Sequence, residues 1–288
     1  MSRLSFVDTH FHFWDFTYPT LRWDWLNAPT HEVIGDTAGL RVERYGAEEY
    51  FAESRFWNVT KGVHVQAAFG IADPVEETAW VQSIADSTGW PHGILGYCDL
   101  ADPRAGAVLE RHLQHRCFRG LRDIGPTERF EDPAWRKGYA LLADQNLVYC
   151  HSVGADNMAR ARALAAAIPE VTFCVDQAGM PMERTPAYFK HWRSGLDAAA
   201  SEPNVVCKIS SLGMGDRRWT KDSLRPWVLG CIEAFGPERC FFGSNWPVDR
   251  LFSSYGDLVD AYTSIIGGLE VKEQVALMSA NAERVFRI

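Results

Sequence analysis

Two histidines, His10 and His12, stand one residue apart in the stretch Asp8-Thr9-His10-Phe11-His12-Phe13-Trp14-Asp15. A short apolar run over 4–7 precedes them and reads as a strand. In an extended chain, side chains two residues apart leave the same face. The pair therefore converges closely enough to hold one metal ion or one substrate. Further polar residues recur at or near the ends of later apolar runs: Gln66, Arg122, His151, Gln177 and Asn245. Imidazoles offer lone pairs to a proton or a metal, and amides offer hydrogen-bond donors. Arginine offers a planar fork to a carboxylate or an oxyanion.

The elements that must position these residues repeat along the chain. Strand-like runs cover 4–7, 62–67, 93–97, 117–124, 147–153, 171–175, 204–210 and 239–243. Helical stretches lie between them, at 47–58, from 73, at 102–115, 132–145, 156–168, 185–200 and 221–235, with a helical tail from 255. Several open on strong start signals, such as Asp73-Pro74-Val75-Glu76, Asp132-Pro133 and Thr185-Pro186. Eight strand–helix units without a composition break predict an α/β fold, a single (β/α)8 barrel of TIM type filling one domain over 1–288. A doubly wound sheet is the weaker alternative, because no GxGxxG follows the first strand. In a barrel the loops after the strands build the active face, so the polar residues above would meet in one pocket. The loop over 16–46 is long and aromatic, with Tyr18, Trp23 and Trp25. It is expected to form a partial lid, with Trp25 against the substrate.

Composition narrows the partners. The chain has 288 residues, 47% of them hydrophobic, and a formal charge of −8 with no basic run. Nucleic acid and anionic membranes are poor partners for such a surface. No apolar run approaches the roughly 18–20 residues of a membrane span, and no signal-peptide pattern is visible. The expectation is a cytoplasmic enzyme of a small molecule, with a homo-oligomer compatible. The seven cysteines form no CxxC pair. Six lie in or beside apolar runs, which suits buried reduced thiols.

The opening motif resembles the signature of the amidohydrolase superfamily, in its amidohydrolase-related, lactonase-like branch. Val63-His64-Val65-Gln66-Ala67, Gly120-Leu121-Arg122, Cys207-Lys208-Ile209-Ser210, Phe242-Gly243-Ser244-Asn245-Trp246-Pro247-Val248-Asp249 and Asn281-Ala282-Glu283-Arg284-Val285-Phe286 resemble the same branch. The resemblance implies a barrel that hydrolyses lactones or related carbonyl compounds, in some members with a divalent metal. Two departures stand out. Such proteins often carry histidine after the sixth strand, and many carry aspartate after the eighth. Here those places hold Gln177 and Asn245.

Lactone hydrolysis needs an activated water, a stabilised oxyanion and a positioned substrate. Gln66, Arg122, Gln177 and Lys208 are candidates for holding substrate or oxyanion, with Trp25 and Trp246 lining the mouth. Asn245 is a catalytic candidate as a donor, since an amide takes no proton at neutral pH. The base then falls to His10, His12 or Asp249, the last of which alternatively holds its loop. Asp8 and Asp15 suit orienting roles. A zinc ion wants three or four nitrogen, sulfur or carboxylate ligands. His10 and His12 supply two, and His151 a third only if it points inward. Strand alternation leaves Tyr149 and His151 in competition with Cys150 and Ser152 for the inner face. One divalent metal such as zinc and a metal-free site therefore both remain open. Beside the lactonase reading stand a decarboxylase-type lyase and a barrel with lost or diverted hydrolysis.

Overall fold

A computed structural model describes residues 4–288. Eight parallel strands lie in one sheet in chain order: β1 (Phe6–Phe11), β2 (Val59–Val65), β3 (Gly93–Gly96), β4 (Phe118–Asp123), β5 (Val148–His151), β6 (Phe173–Val175), β7 (Val205–Ile209) and β8 (Cys240–Phe242). Helices alternate with them: α1 (Ala47–Ser54), α2 (Val75–Thr88), α3 (Ala105–His112), α4 (Pro133–Asp144), α5 (Met158–Ala167), α6 (Pro186–Ala200), α7 (Lys221–Phe235) and α8 (Tyr255–Ile266). The expected barrel is present. Its helix starts are capped by the residues that signal them. Asp132 accepts a hydrogen bond from the Ala134 N–H, and Thr185 from that of Tyr188.

The barrel interior is apolar below the mouth, with Val7, Val63, Val65, Leu95, Val148 and Cys150 among its buried residues. Val285 and Phe286, from the last helix α9 (Asn281–Phe286), join that cluster. Lys61, early in β2, donates to the Ile288 carbonyl at 2.8 Å. The last helix thus plugs the end opposite the strand C-termini. All seven cysteines are free and buried.

The first strand is longer than its apolar run suggests, because its ladder with β2 continues through the polar residues. It also carries a bulge. Asp8 pairs with Gly62 but Phe11 pairs with His64, so β1 spends one extra residue. Val7 points into the barrel, whereas Phe11 packs outside against Tyr50 and Trp90. The bulge resets the alternation and turns His10 inward.

The seam between β8 and β1 is closed mainly by side chains. Asp8 accepts from the Ser244 N–H (2.8 Å), the Ser244 hydroxyl (2.6 Å) and the Tyr50 hydroxyl (2.7 Å). The Thr9 hydroxyl donates to the Phe242 carbonyl at 2.7 Å, and the His12 N–H to that of Trp246 at 2.8 Å. Gly243 is required here, since a Cβ would lie 2.6 Å from that of His10. After β1 the chain makes two small antiparallel ribbons, Trp14–Asp15 with Arg44–Tyr45 and Thr30–His31 with Gly35–Asp36. Leu21, Trp23, Leu26 and Leu40 are buried beneath them, which makes the long loop a packed flap. Among the described residues no helix is long and apolar enough to cross a membrane.

Candidate active site

A cavity of about 480 Å³ opens at the C-terminal ends of the strands. His12, Gln66, Arg122, Gln177 and Asn245 line it, and Trp25 and His31 of the flap border it. Gln177 and Asn245 sit at φ 53° and φ 57°, a backbone region that side-chain-bearing residues seldom adopt. These sharp turns after β6 and β8 aim two amides inward. The Trp25 indole donates to the Ala67 carbonyl at 2.9 Å and pins the flap to the loop after β2.

The two histidine rings meet edge to face with centroids 5.0 Å apart. The Nδ1–H of His12 donates to the Val65 carbonyl at 2.8 Å, so its lone pair is on Nε2. His10 lies deeper and is fully buried. Its Nδ1 is 2.9 Å from the Ser210 hydroxyl and 3.4 Å from Asp176 Oδ1, and its Nε2 has no partner. Burial pushes His10 down to about 4. Burial, then the nearby His10 and Arg122, holds His12 well below the ordinary histidine value. Both rings are neutral at physiological pH.

Asp176 anchors this arrangement. Its Oδ1 is 3.2 Å from the Lys208 ammonium, and both side chains are fully buried. Burial pushes the carboxyl up, but Lys208, His10 and Arg122 together hold it well below the usual range. Arg122 is 8% exposed, its Nε has no partner, and among the described residues it forms no direct ion pair. One of its N–H groups donates to the Gln66 carbonyl at 3.4 Å. The result is a buried guanidinium at the cavity wall with donors to spare.

Asn245 donates one amide N–H to Asp249 Oδ1 at 2.9 Å, which leaves its second N–H free. Asp249 is fully buried behind it, and its other oxygen has no partner. Burial raises this carboxyl to about 7, despite the Asn245 hydrogen bond. An unfolded aspartate titrates at about 3.9. Between roughly pH 4 and pH 7 the folded state therefore binds more protons, and stability falls as pH rises. Asp249→Asn is expected to raise the melting temperature by several degrees at pH 8 and by much less at pH 5. Equal shifts at both pH values in differential scanning calorimetry would show that the carboxyl is not the source.

Three sequence expectations are corrected by these positions. His151 is not brought to the histidine pair. Its strand neighbour Cys150 faces inward beside Lys208, so His151 faces outward, against Phe130 and bonded to the Gly125 carbonyl at 3.0 Å. Lys208 does not line the cavity, because its ammonium is spent on Asp176. Trp246 is buried away from the cavity, with its indole N–H on Glu53. Asp176 and Ser210 are the site residues that the sequence reading passed over. The signal for Asp176 was present: a lysine inside an apolar strand needs a buried counter-charge.

The donor set does not fit a tight zinc site. Of the imidazoles lining the cavity, His12 has its lone pair on Nε2, while the His31 Nδ1 lone pair accepts the Val33 and Ile34 N–H groups; His10 Nε2 is buried outside the lining, and Gln66, Gln177 and Asn245 offer only amides. Asp176 reaches the Nδ1 side of His10, and Asp249 stands behind Asn245. Among the described residues no group of three or more histidine, cysteine or acidic side chains is placed to hold a metal. Three or four such ligands are what zinc takes.

Comparison with known proteins gives consistent results. The model of the "Amidohydrolase" family matches residues 7–288. An uncharacterized protein of Sinorhizobium fredii, y4mH, is 36% identical over 301 residues, covering 100% of both chains. L-fucono-1,5-lactonase of Burkholderia multivorans is 27% identical, covering 98% of this chain and 96% of that one. A crystal structure of an amidohydrolase from Burkholderia multivorans, with bound zinc, superposes at TM-score 0.84 and 25% identity, covering 98% and 99% of the two chains.

Proposed function

The chain belongs to the amidohydrolase family, and on that premise we propose that it is a hydrolase opening a lactone or related cyclic ester of a small anionic substrate. The observation that carries this reading is His12. Its Nδ1–H is tied to a carbonyl, and its Nε2 lone pair belongs to a residue lining the cavity, beside a buried arginine whose Nε has no partner among the described residues. The 27% identity to an L-fucono-1,5-lactonase supports the same reaction class.

The steps use this chain's own groups. His12 Nε2 takes a proton from a water, and the water oxygen adds to the lactone carbonyl. The free amide N–H groups of Asn245 and Gln177 face the developing oxyanion. The tetrahedral intermediate collapses, the ring C–O bond breaks, and the alkoxide takes the proton from His12. The product is a hydroxy acid. Arg122 holds a carboxylate of the substrate throughout.

Arg122→Ala is expected to raise KM by roughly 10–150-fold with little change in kcat. That range corresponds to about 1.5–3 kcal/mol for a charge-assisted hydrogen bond made equally in substrate and transition state. A matched fall in kcat and kcat/KM at constant KM would make Arg122 an oxyanion contact instead.

The proposal is tested by assaying hydroxy-acid lactones with protein stripped by a chelator. Ring opening at an undiminished rate is the expected result. No opening of any lactone, or activity restored only by stoichiometric zinc, would overturn the reaction or its metal-free form respectively.

A further inference from the structure

A second cavity of about 800 Å³ lies beside the first. The two share Gln66, Phe69, Arg122 and Ile124 as walls. The side cavity runs outward between the loops that follow β2, β3 and β4. Its dividing wall is a fixed structure. Glu77 is buried, and its Oε1 accepts the Ala67 and Ala68 N–H groups at 2.8 and 2.9 Å. Arg122, more than nine-tenths buried, lines both cavities with its Nε unpartnered. Beyond it stand Tyr97, Asp99, Asp123 and Arg129. Asp123 and Arg129 are 3.6 Å apart.

We propose that the side cavity receives a neutral, hydroxylated arm of the substrate, so that the preferred ester is an extended lactone, a ring bearing a polyol or sugar-like substituent. This rests on the lactonase reading and deepens it. A hydroxyl donates to a carboxylate and accepts from a guanidinium, so it satisfies a wall that mixes the two. A second carboxylate on the arm would face Glu77, Asp99 and Asp123. An ammonium would face Arg122 and Arg129. Either would set like charges against each other at the wall. A monocyclic lactone occupies only the reaction cavity.

The test compares a monocyclic hydroxylated lactone that also carries a free carboxylate with the same lactone glycosylated at its distal hydroxyl. The extended substrate is expected to have the higher kcat/KM by at least about tenfold, the scale of one or two good hydrogen bonds. Ala72 and Ala107 line the side cavity only and are exposed. Ala72→Trp and Ala107→Trp are expected to abolish that gain and leave the short lactone's turnover and the melting temperature unchanged. Equal rates for the two lactones, or tryptophan variants that still favour the extended one, would overturn the side-cavity proposal while the lactonase reading stands. Failure to open either lactone would overturn both.

Discussion

His12→Ala is expected to lower kcat by about 10²–10⁴-fold, the usual worth of a positioned general base. The ring is held at Nδ1 by the Val65 carbonyl at 2.8 Å, so tautomer and orientation are set before substrate arrives. The fold does not depend on that contact, since the ring lies at the cavity wall above the apolar interior. The melting temperature should change little. The parent protein should also keep its kcat/KM well below pH 6.5. The reactive form is the neutral imidazole, present above its pKa and lost as pH falls through it. Burial, with His10 and Arg122 nearby, holds that pKa well below the ordinary value. An acid limb at the ordinary histidine value, or a His12→Ala variant that turns over like the parent, would remove His12 from the mechanism.

Asp176→Asn is expected to act on stability and activity together. It leaves the Lys208 ammonium, fully buried, without its 3.2 Å carboxylate. Removing one partner of a buried pair costs about 3–5 kcal/mol. For a chain of this size that corresponds to a drop of roughly 10 °C in melting temperature. The change also gives His10 Nδ1 an amide in place of a carboxylate, so the ring loses its fixed donor role. The double variant Asp176→Asn/Lys208→Met separates the two effects. Removing both charges should return most of the stability, because an uncharged pair in that position needs no counter-ion. Turnover should stay low, because His10 still lacks its orienting carboxylate. Recovery of both together would give the pair a purely structural role. A single variant as stable as the parent would mean that the buried charge has another partner.

Much of the barrel was readable because its signals are local. Each apolar run is short, and residues such as Asp132 and Thr185 mark helix starts by their own hydrogen-bonding chemistry. That His10 and His12 share a face was also local. Which face they share was not, because strict alternation from Val7 would place His10 outside. One extra residue in β1 reversed it, and a bulge has no reliable signature in a single sequence. His151 shows the same limit from the other side. Tyr149 joins Trp135, Tyr139 and Phe173 outside the strand, and that aromatic packing turns His151 outward with it. Lys208, inside the seventh strand, and Trp246, just after the eighth, were read as substrate contacts. Their actual partners, Glu53 and Asp176, are distant in sequence and unmarked by spacing.

The seam built on Asp8 has a consequence for how the protein is made. The bonds that hold β1 to β8, the turn after it and α8 span 233 to 247 residues of chain. Contacts of such high sequence separation form late, after the entropy of closing a very long loop has been met. The histidine strand therefore leaves the ribosome before the other seven strands and completes its surroundings last. Until Ser244 and Tyr255 are available, Asp8 is a carboxylate with most of its donors missing. The earlier strand–helix units can form as they emerge, yet the working pocket exists only once Asn245 and Tyr255 have been made. Its nascent state carries an unpaired sheet edge at β1, a surface that a chaperone or a neighbouring chain can meet before β8 does.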